Sequence, residues 1–196
     1  MKELEFQHSL KEKLQEIIKD NKYEVKKKAN LLYKVVVNEN LEFEPDTPAK
    51  PSRGNYAFQT DLLIIKKENE LPLVVIECKV AKEYPKRDGR KWKASFSTHD
   101  ILTYSSKAQK HKEIYPFLRY GLVVGGTDVI HHRFFIHNIG FDFALALEDI
   151  NSYTSLQKLA RIIHQQIENA ELILSVFKDK NQVQSFSTEI RIEKIT

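Results

Sequence analysis

The chain has 196 residues, 41% of them hydrophobic and 30% charged, with a formal net charge of +4. That is enough apolar content for one packed core and too little net charge for a disordered polyelectrolyte. A single cysteine excludes an intramolecular disulfide framework and a cysteine-based zinc site, and fits a reducing cytoplasm.

The start, MKELEFQHSLKEKL, is charged throughout and does not read as a signal peptide, and no apolar run approaches the roughly 20 residues of a membrane helix. The expectation is one cytoplasmic domain with no membrane segment. Residues 2–20 read as an amphipathic helix with Leu10, Leu14, Ile17 and Ile18 as its apolar stripe and Glu3 and Gln7 on one face. Lys26-Lys27-Lys28 reads as a solvated charged loop, and Leu31–Val37 as a strand. Residues 38–56 form a long loop with Pro45, Pro48, Pro51 and Gly54. Loops of that length in a compact domain often carry function. Lys50 and Arg53 are candidates there for nucleic-acid contact, a surface excursion being the alternative.

The stretch around Asp61–Lys79, FQTDLLIIKKENELPLVVIECKV, reads as two strands: Leu62–Ile65 and Pro72–Val80, joined by the turn Lys66–Leu71. Both runs are β-branched and short. Period 2 puts Val75, Glu77 and Lys79 on one face of the second strand and Val74, Ile76, Cys78 and Val80 on the other. A carboxylate and an ammonium inside so apolar a strand are costly without a purpose. Hairpin pairing can bring Asp61 beside Glu77. Two adjacent carboxylates hold Mg²⁺, which polarises a phosphate and acidifies a bound water, and a lysine beside them can orient that water or steady developing charge. The simpler alternative is a cross-strand ion pair of Lys79 with Asp61 or Glu77.

Residues Lys82–Lys93, KEYPKRDGRKWK, hold six basic and two acidic residues, a local +4 equal to the charge of the whole chain. Residues 82–95 are expected to form a basic loop. Lys82, Lys86, Arg87, Arg90, Lys91 and Lys93, interleaved with Tyr84 and Trp92, suit phosphate contacts and stacking; a surface loop anchored by Trp92 is the alternative. Ser97–Tyr115 reads as a helix with a capping box from Ser97 and Asp100 and a stop at Pro116. Ile101, Tyr104, Ser105, Ala108 and Tyr115 make its packed face. Thr103, Ser106, Lys107 and Lys110 make a polar-basic stripe able to follow a phosphate backbone or simply to meet solvent. Phe117–Val124 is the next expected strand. Gly125-Gly126 ends it with no Gly-Lys-Ser/Thr, so no nucleotide cofactor is expected. Val129–His137 reads as a strand whose His131, His132 and Arg133 suit a phosphate or partner contact better than zinc. Residues 138–153 read as a connection. Thr154–Phe177 reads as a helix whose Leu156, Leu159, Ile163, Ile167, Ala170, Leu174 and Phe177 either pack on the sheet or form a dimer seam. The tail, with TEIRIEKI, reads as an edge strand.

Asp61, fifteen intervening residues and then Glu77-Cys78-Lys79 resemble the signature of the PD-(D/E)XK nucleases. Thr60 stands where that family has proline; a literal Pro45-Asp46 lies too far upstream and is set aside. The resemblance covers about residues 1–145 as an order of elements. It implies an α/β fold with a restriction endonuclease-like core, a mixed central sheet of about four to six strands flanked by helices. Residues 154–196 then add a helix and an edge strand able to dimerise. The implied function is Mg²⁺-dependent hydrolysis of DNA phosphodiesters, with Mn²⁺ substituting. Asp61, Glu77 and the Cys78 carbonyl are the implied metal ligands and Lys79 the catalytic lysine. The helix after the Glu-x-Lys strand is also in the family's order, which singles out Lys107 for DNA contact. Glu3 is a candidate further acid, against a frayed first turn. A type II restriction enzyme acting as a homodimer is the leading expectation. The alternatives are a structure-selective repair or recombination nuclease, and a non-catalytic nucleic-acid-binding module.

Overall fold

The computed structural model describes residues 2–19, 21–32, 57–85, 91–94 and 96–181, a mixed α/β fold built on a five-stranded sheet. In chain order its elements are α1 (Glu3–Ile17), β1 (Tyr23–Lys27), β2 (Asn30–Leu32), β3 (Ala57–Gln59), β4 (Leu62–Lys66), β5 (Leu71–Val80), β6 (Lys82–Pro85), β7 (Lys91–Ala94), α2 (Thr98–Ile114), β8 (Arg119–Gly125), α3 (His132–His137), β9 (Phe143–Leu147) and α4 (Tyr153–Asn181).

The main sheet has the order β1-β4-β5-β8-β9. β1, β4 and β5 are antiparallel neighbours, whereas β5, β8 and β9 run parallel. The expected hairpin is present as β4–β5, with Leu62 opposite Ile76 and Leu63 opposite Val75. Glu70 takes a positive φ of 52° in its turn, and the Asn69 side chain accepts from the Leu71 N–H at 3.3 Å. Parallel neighbours need a crossover that leaves the sheet. α2 makes the one from β5 to β8, and α3 lies in the one from β8 to β9.

Side-chain alternation along β8 separates the two faces. Tyr120 stacks on His111 of α2, while Arg119 reaches Gln166 of α4 and Gly125 lies under the Phe6 ring of α1. α1 and α4 therefore cover one face, and α2 the other. A small β2–β3 hairpin joins α2 through a hydrogen bond between His111 and the Leu31 carbonyl, 3.1 Å. β5 is buried along nearly its whole length, as a central strand covered on both faces must be.

Several sequence expectations need correction. Tyr23–Lys27 is an edge strand, not a solvated loop: Tyr23 and Val25 are buried, and Lys26 pairs with Glu70 at 2.9 Å. Lysines suit such an edge because they discourage further pairing. Of the strand expected over Leu31–Val37, only residues 30–32 are described, paired with β3. Residues 82–95 are not a plain loop, since β6 and β7 pair antiparallel with Tyr84 opposite Trp92. Val129–His137 is not a strand: residues 132–137 form α3, capped by the His131 side chain accepting from the Arg133 N–H. A chain leaving β8 for a parallel neighbour cannot stay in the sheet, and that overrides the local β-branched signal. FALAL in the expected connection is β9, concealed by alanines of low strand propensity. Along the stripe of α4, Leu159, Ile163, Ile167, Ala170 and Leu174 are all buried in the core. The Phe177 side chain lies outside the described residues, as do Pro45-Asp46, Lys50, Arg53 and the tail strand. Among the described residues, no helix is long and apolar enough to cross a membrane.

Candidate active site

The site lies where β4 begins and the second half of β5 passes, on the face covered by α2. Asp61 is placed by its neighbours. Thr60 is completely buried, and both its N–H and its hydroxyl donate to the Ala29 carbonyl, at 2.9 and 3.0 Å. The Asp61 carbonyl accepts from the Lys28 N–H at 3.0 Å. The chain is thus pinned on both sides of the Asp61 side chain. Its Oδ2 then accepts the Cys78 N–H at 2.8 Å, which ties it to the backbone one residue past Glu77.

Glu77 is 1% exposed. Its Oε1 accepts the Tyr120 hydroxyl at 2.6 Å, and the Lys107 ammonium stands 3.8 Å from the same oxygen. Burial pushes the Glu77 carboxyl up to about 7; Lys107 and Tyr120 pull it down, while the Asp61 carboxyl, in hydrogen-bonding reach, pushes it up again. The two carboxyls oppose each other's ionisation, which a cation between them would relieve.

Lys79 lies beyond them on β5. Its ammonium is 3.5 Å from Glu3 Oε2 and 5.3 Å from the centre of the Tyr104 ring. Burial works against its charge, but the Tyr104 hydroxyl and Glu3 outweigh burial and hold Lys79 above the ordinary lysine range. Burial raises Tyr104 to about 12, with Lys79 opposing and Glu77 and Asp61 adding. Glu3 thus reaches Lys79 from an ordered first turn, in which the Glu5 carboxylate caps the Lys2 N–H at 2.9 Å. Cys78 contributes its N–H as described; its thiol is fully buried and pushed well up by burial and then by Asp61 and Glu77.

The helix α2 has the expected cap: the Ser97 hydroxyl accepts the Asp100 N–H at 3.1 Å, and Asp100 accepts the Ser97 N–H at 2.7 Å. Its Lys107 does not run outward with Thr103, Ser106 and Lys110. The ammonium turns toward Glu77 and reaches the Gln59 carbonyl at 3.4 Å, leaving the side chain 21% exposed. The attraction of the buried Glu77 carboxyl overrides helical periodicity here.

Lys82 is exposed on β6. Lys91, Trp92 and Lys93 are on β7, opposite β6, while Lys86, Arg87 and Arg90 lie outside the described residues. His131 and His132 have ring centres 4.3 Å apart at the start of α3, and His131 serves as the cap rather than as a ligand.

Two participants were not singled out by the sequence. Tyr120 anchors Glu77, and His111, completely buried, stacks on Tyr120 with ring centres 5.8 Å apart. The available signal was a tyrosine in the aliphatic strand FLRYGLVV, since a buried phenol needs a polar partner. Among the described residues no group of three or more histidine, cysteine, aspartate or glutamate side chains is arranged to hold a metal ion; the acid pair is a set of two. No protein-family model matches the chain, and no curated protein matches it.

Proposed function

We propose that the chain is a metal-dependent deoxyribonuclease with a restriction endonuclease-like core, in which Asp61 and Glu77 hold Mg²⁺ or Mn²⁺ and Lys79 is the catalytic lysine. The observation that carries this reading is that Asp61 accepts the Cys78 N–H, next to a buried Glu77 whose carboxyl is raised to about 7 with Asp61 among the causes. Such a pair is a site short of positive charge. Its donors are hard oxygens, which fit Mg²⁺ or Mn²⁺ and not a soft metal. With only two side chains in the set, the Cys78 carbonyl, water and a substrate phosphate would be needed to complete the ion's ligands. When bound, the ion supplies a polarised phosphate and an acidified water.

The chain's own residues do the rest. Tyr120 and the Cys78 N–H orient the two carboxyls, through Glu77 Oε1 and Asp61 Oδ2. Lys79 keeps its charge between Tyr104 and Glu3, so it orients water or meets the negative charge that builds on the phosphorane oxygens; it is not the base that removes the proton. The site lies toward the carboxyl ends of parallel strands, where open α/β sheets receive ligands, and the basic β6–β7 segment follows directly in sequence. A single site per chain cuts two strands most simply as a homodimer, and we take a type II restriction enzyme as the leading subclass.

The test is incubation of plasmid DNA with the protein and Mg²⁺ or Mn²⁺. Metal-dependent cleavage is expected. Asp61→Asn, Glu77→Gln and Lys79→Ala should each lower it by about 10²–10³-fold or more, with DNA binding by Lys79→Ala retained. Discrete fragments identify a restriction enzyme, and preference for branched DNA a repair-type nuclease. Wild-type protein that binds DNA but never cuts it with either metal would leave only a binding module.

A further inference from the structure

The Lys107 ammonium occupies the place where a cation is needed, yet it is loosely held. Its nitrogen is 3.8 Å from Glu77 Oε1, beyond a direct hydrogen bond, and its contact with the Gln59 carbonyl is long at 3.4 Å. Lys112, farther along the same helix, shows how a fastened lysine looks: 2.7 Å from Asp142 and 2.6 Å from the Gly140 carbonyl. Around the Lys107 ammonium stand two aromatic rings, Tyr104 at 5.3 Å and Phe58 at 5.9 Å from their centres. Such walls stabilise a cation without fixing its position. Two carboxyls beside one weakly tethered monovalent charge make an exchangeable site, since a divalent ion matches the pair and an ammonium does not.

We propose that Lys107 holds the place of the divalent cation in the resting protein, and that metal binding frees its ammonium to take a phosphate of the nucleic acid. This rests on the metal reading above and adds to it a coupling between metal and substrate. The metal must displace Lys107, so the lysine weakens metal binding. Once displaced, the same lysine strengthens binding of the polyanion. A divalent ion therefore improves substrate affinity beyond its own contacts with phosphate.

Mn²⁺ binding is measured directly, from the free ion detected by electron paramagnetic resonance, on wild type, Lys107→Met, Lys107→Arg and Asp61→Asn. Lys107→Met should bind Mn²⁺ about tenfold more tightly than wild type, within the usual range of coupling between sites. Lys107→Arg should stay near wild type, and Asp61→Asn should lose the site. The second measurement is duplex affinity in the cleavage-deficient Lys79→Ala background, with and without Mn²⁺. The gain given by Mn²⁺ should shrink severalfold when Lys107→Met is added. Equal or weaker Mn²⁺ binding by Lys107→Met, with Asp61→Asn still abolishing the site, overturns the placeholder role and leaves the nuclease reading intact. Absence of Mn²⁺ binding by folded wild type overturns both.

Discussion

Glu77 and His111 titrate in opposite senses, and both belong to one stack through Tyr120. Glu77 is raised by burial from 4.5 to about 7. Between those values the folded chain keeps a proton that the unfolded chain has released, so stability falls as pH rises through the window and remains lowered above it. His111 is lowered by burial from 6.5 to about 4. It stays neutral in the fold, and its contribution is lost as pH falls from about 6.5 to 4. Each effect is of the order of 3 kcal/mol, and over much of the range they offset one another. In metal-free protein, Glu77→Gln should therefore expose the histidine alone, with urea midpoints climbing from pH 4 to 6.5. His111→Gln should show the reverse, a decline from about pH 4.5 to 7; flat profiles in both would refute the assignment. Tyr120→Phe removes the hydroxyl that donates to Glu77 and should cost about 1–3 kcal/mol. It should also move the acid limb of any cleavage profile to higher pH, because that bond lowers Glu77. At this scale the sequence spoke clearly for Asp61, Glu77 and Lys79, since charge within an apolar strand is conspicuous. It was silent on Tyr120 and His111, whose neighbours come from distant segments, and it turned Lys107 the wrong way because helical periodicity carries no information about a charge across the gap.

Among the elements, the pairing of β8 with β9 is the most sensitive to a single atom. Gly121 is opposite Phe143, and a Cβ on the glycine would lie 2.0 Å from that ring. Gly121→Ala should destabilise by about 1–3 kcal/mol, and Phe143→Leu in the same chain should recover part of the loss. A double-mutant cycle by chemical denaturation measures both; strict additivity would show that the ring is not the obstacle. The elements that announced themselves were those with local punctuation: the Ser97–Asp100 box of α2, the turn between β4 and β5, and the long stripe of α4. β1 was obscured by its lysines and β9 by its alanines. α3 went unrecognised because topology, not its own residues, requires the chain to leave the sheet there.

Across the whole molecule, charge is distributed unevenly. Residues 82–93 carry the net +4, and the remainder sums to zero. If about four phosphates are met by this segment, the logarithm of DNA affinity should fall with the logarithm of salt at a slope near −3.6. Replacing Lys82 and Lys93 by alanine should reduce that slope by roughly 1.8, measured by fluorescence anisotropy at several salt concentrations; an unchanged slope would place the polyanion elsewhere. The chain also has one sulfur nucleophile, Cys78, fully buried on the central strand between β4 and β8. With its thiol held protonated and out of contact with solvent, no reagent can reach it while the sheet is intact. The rate of its capture by an aromatic disulfide in native buffer is therefore a built-in clock for opening of the sheet. Any ion or duplex that seats on the adjacent acids should slow that clock in proportion to its occupancy, which gives a ligand assay needing neither a label nor turnover.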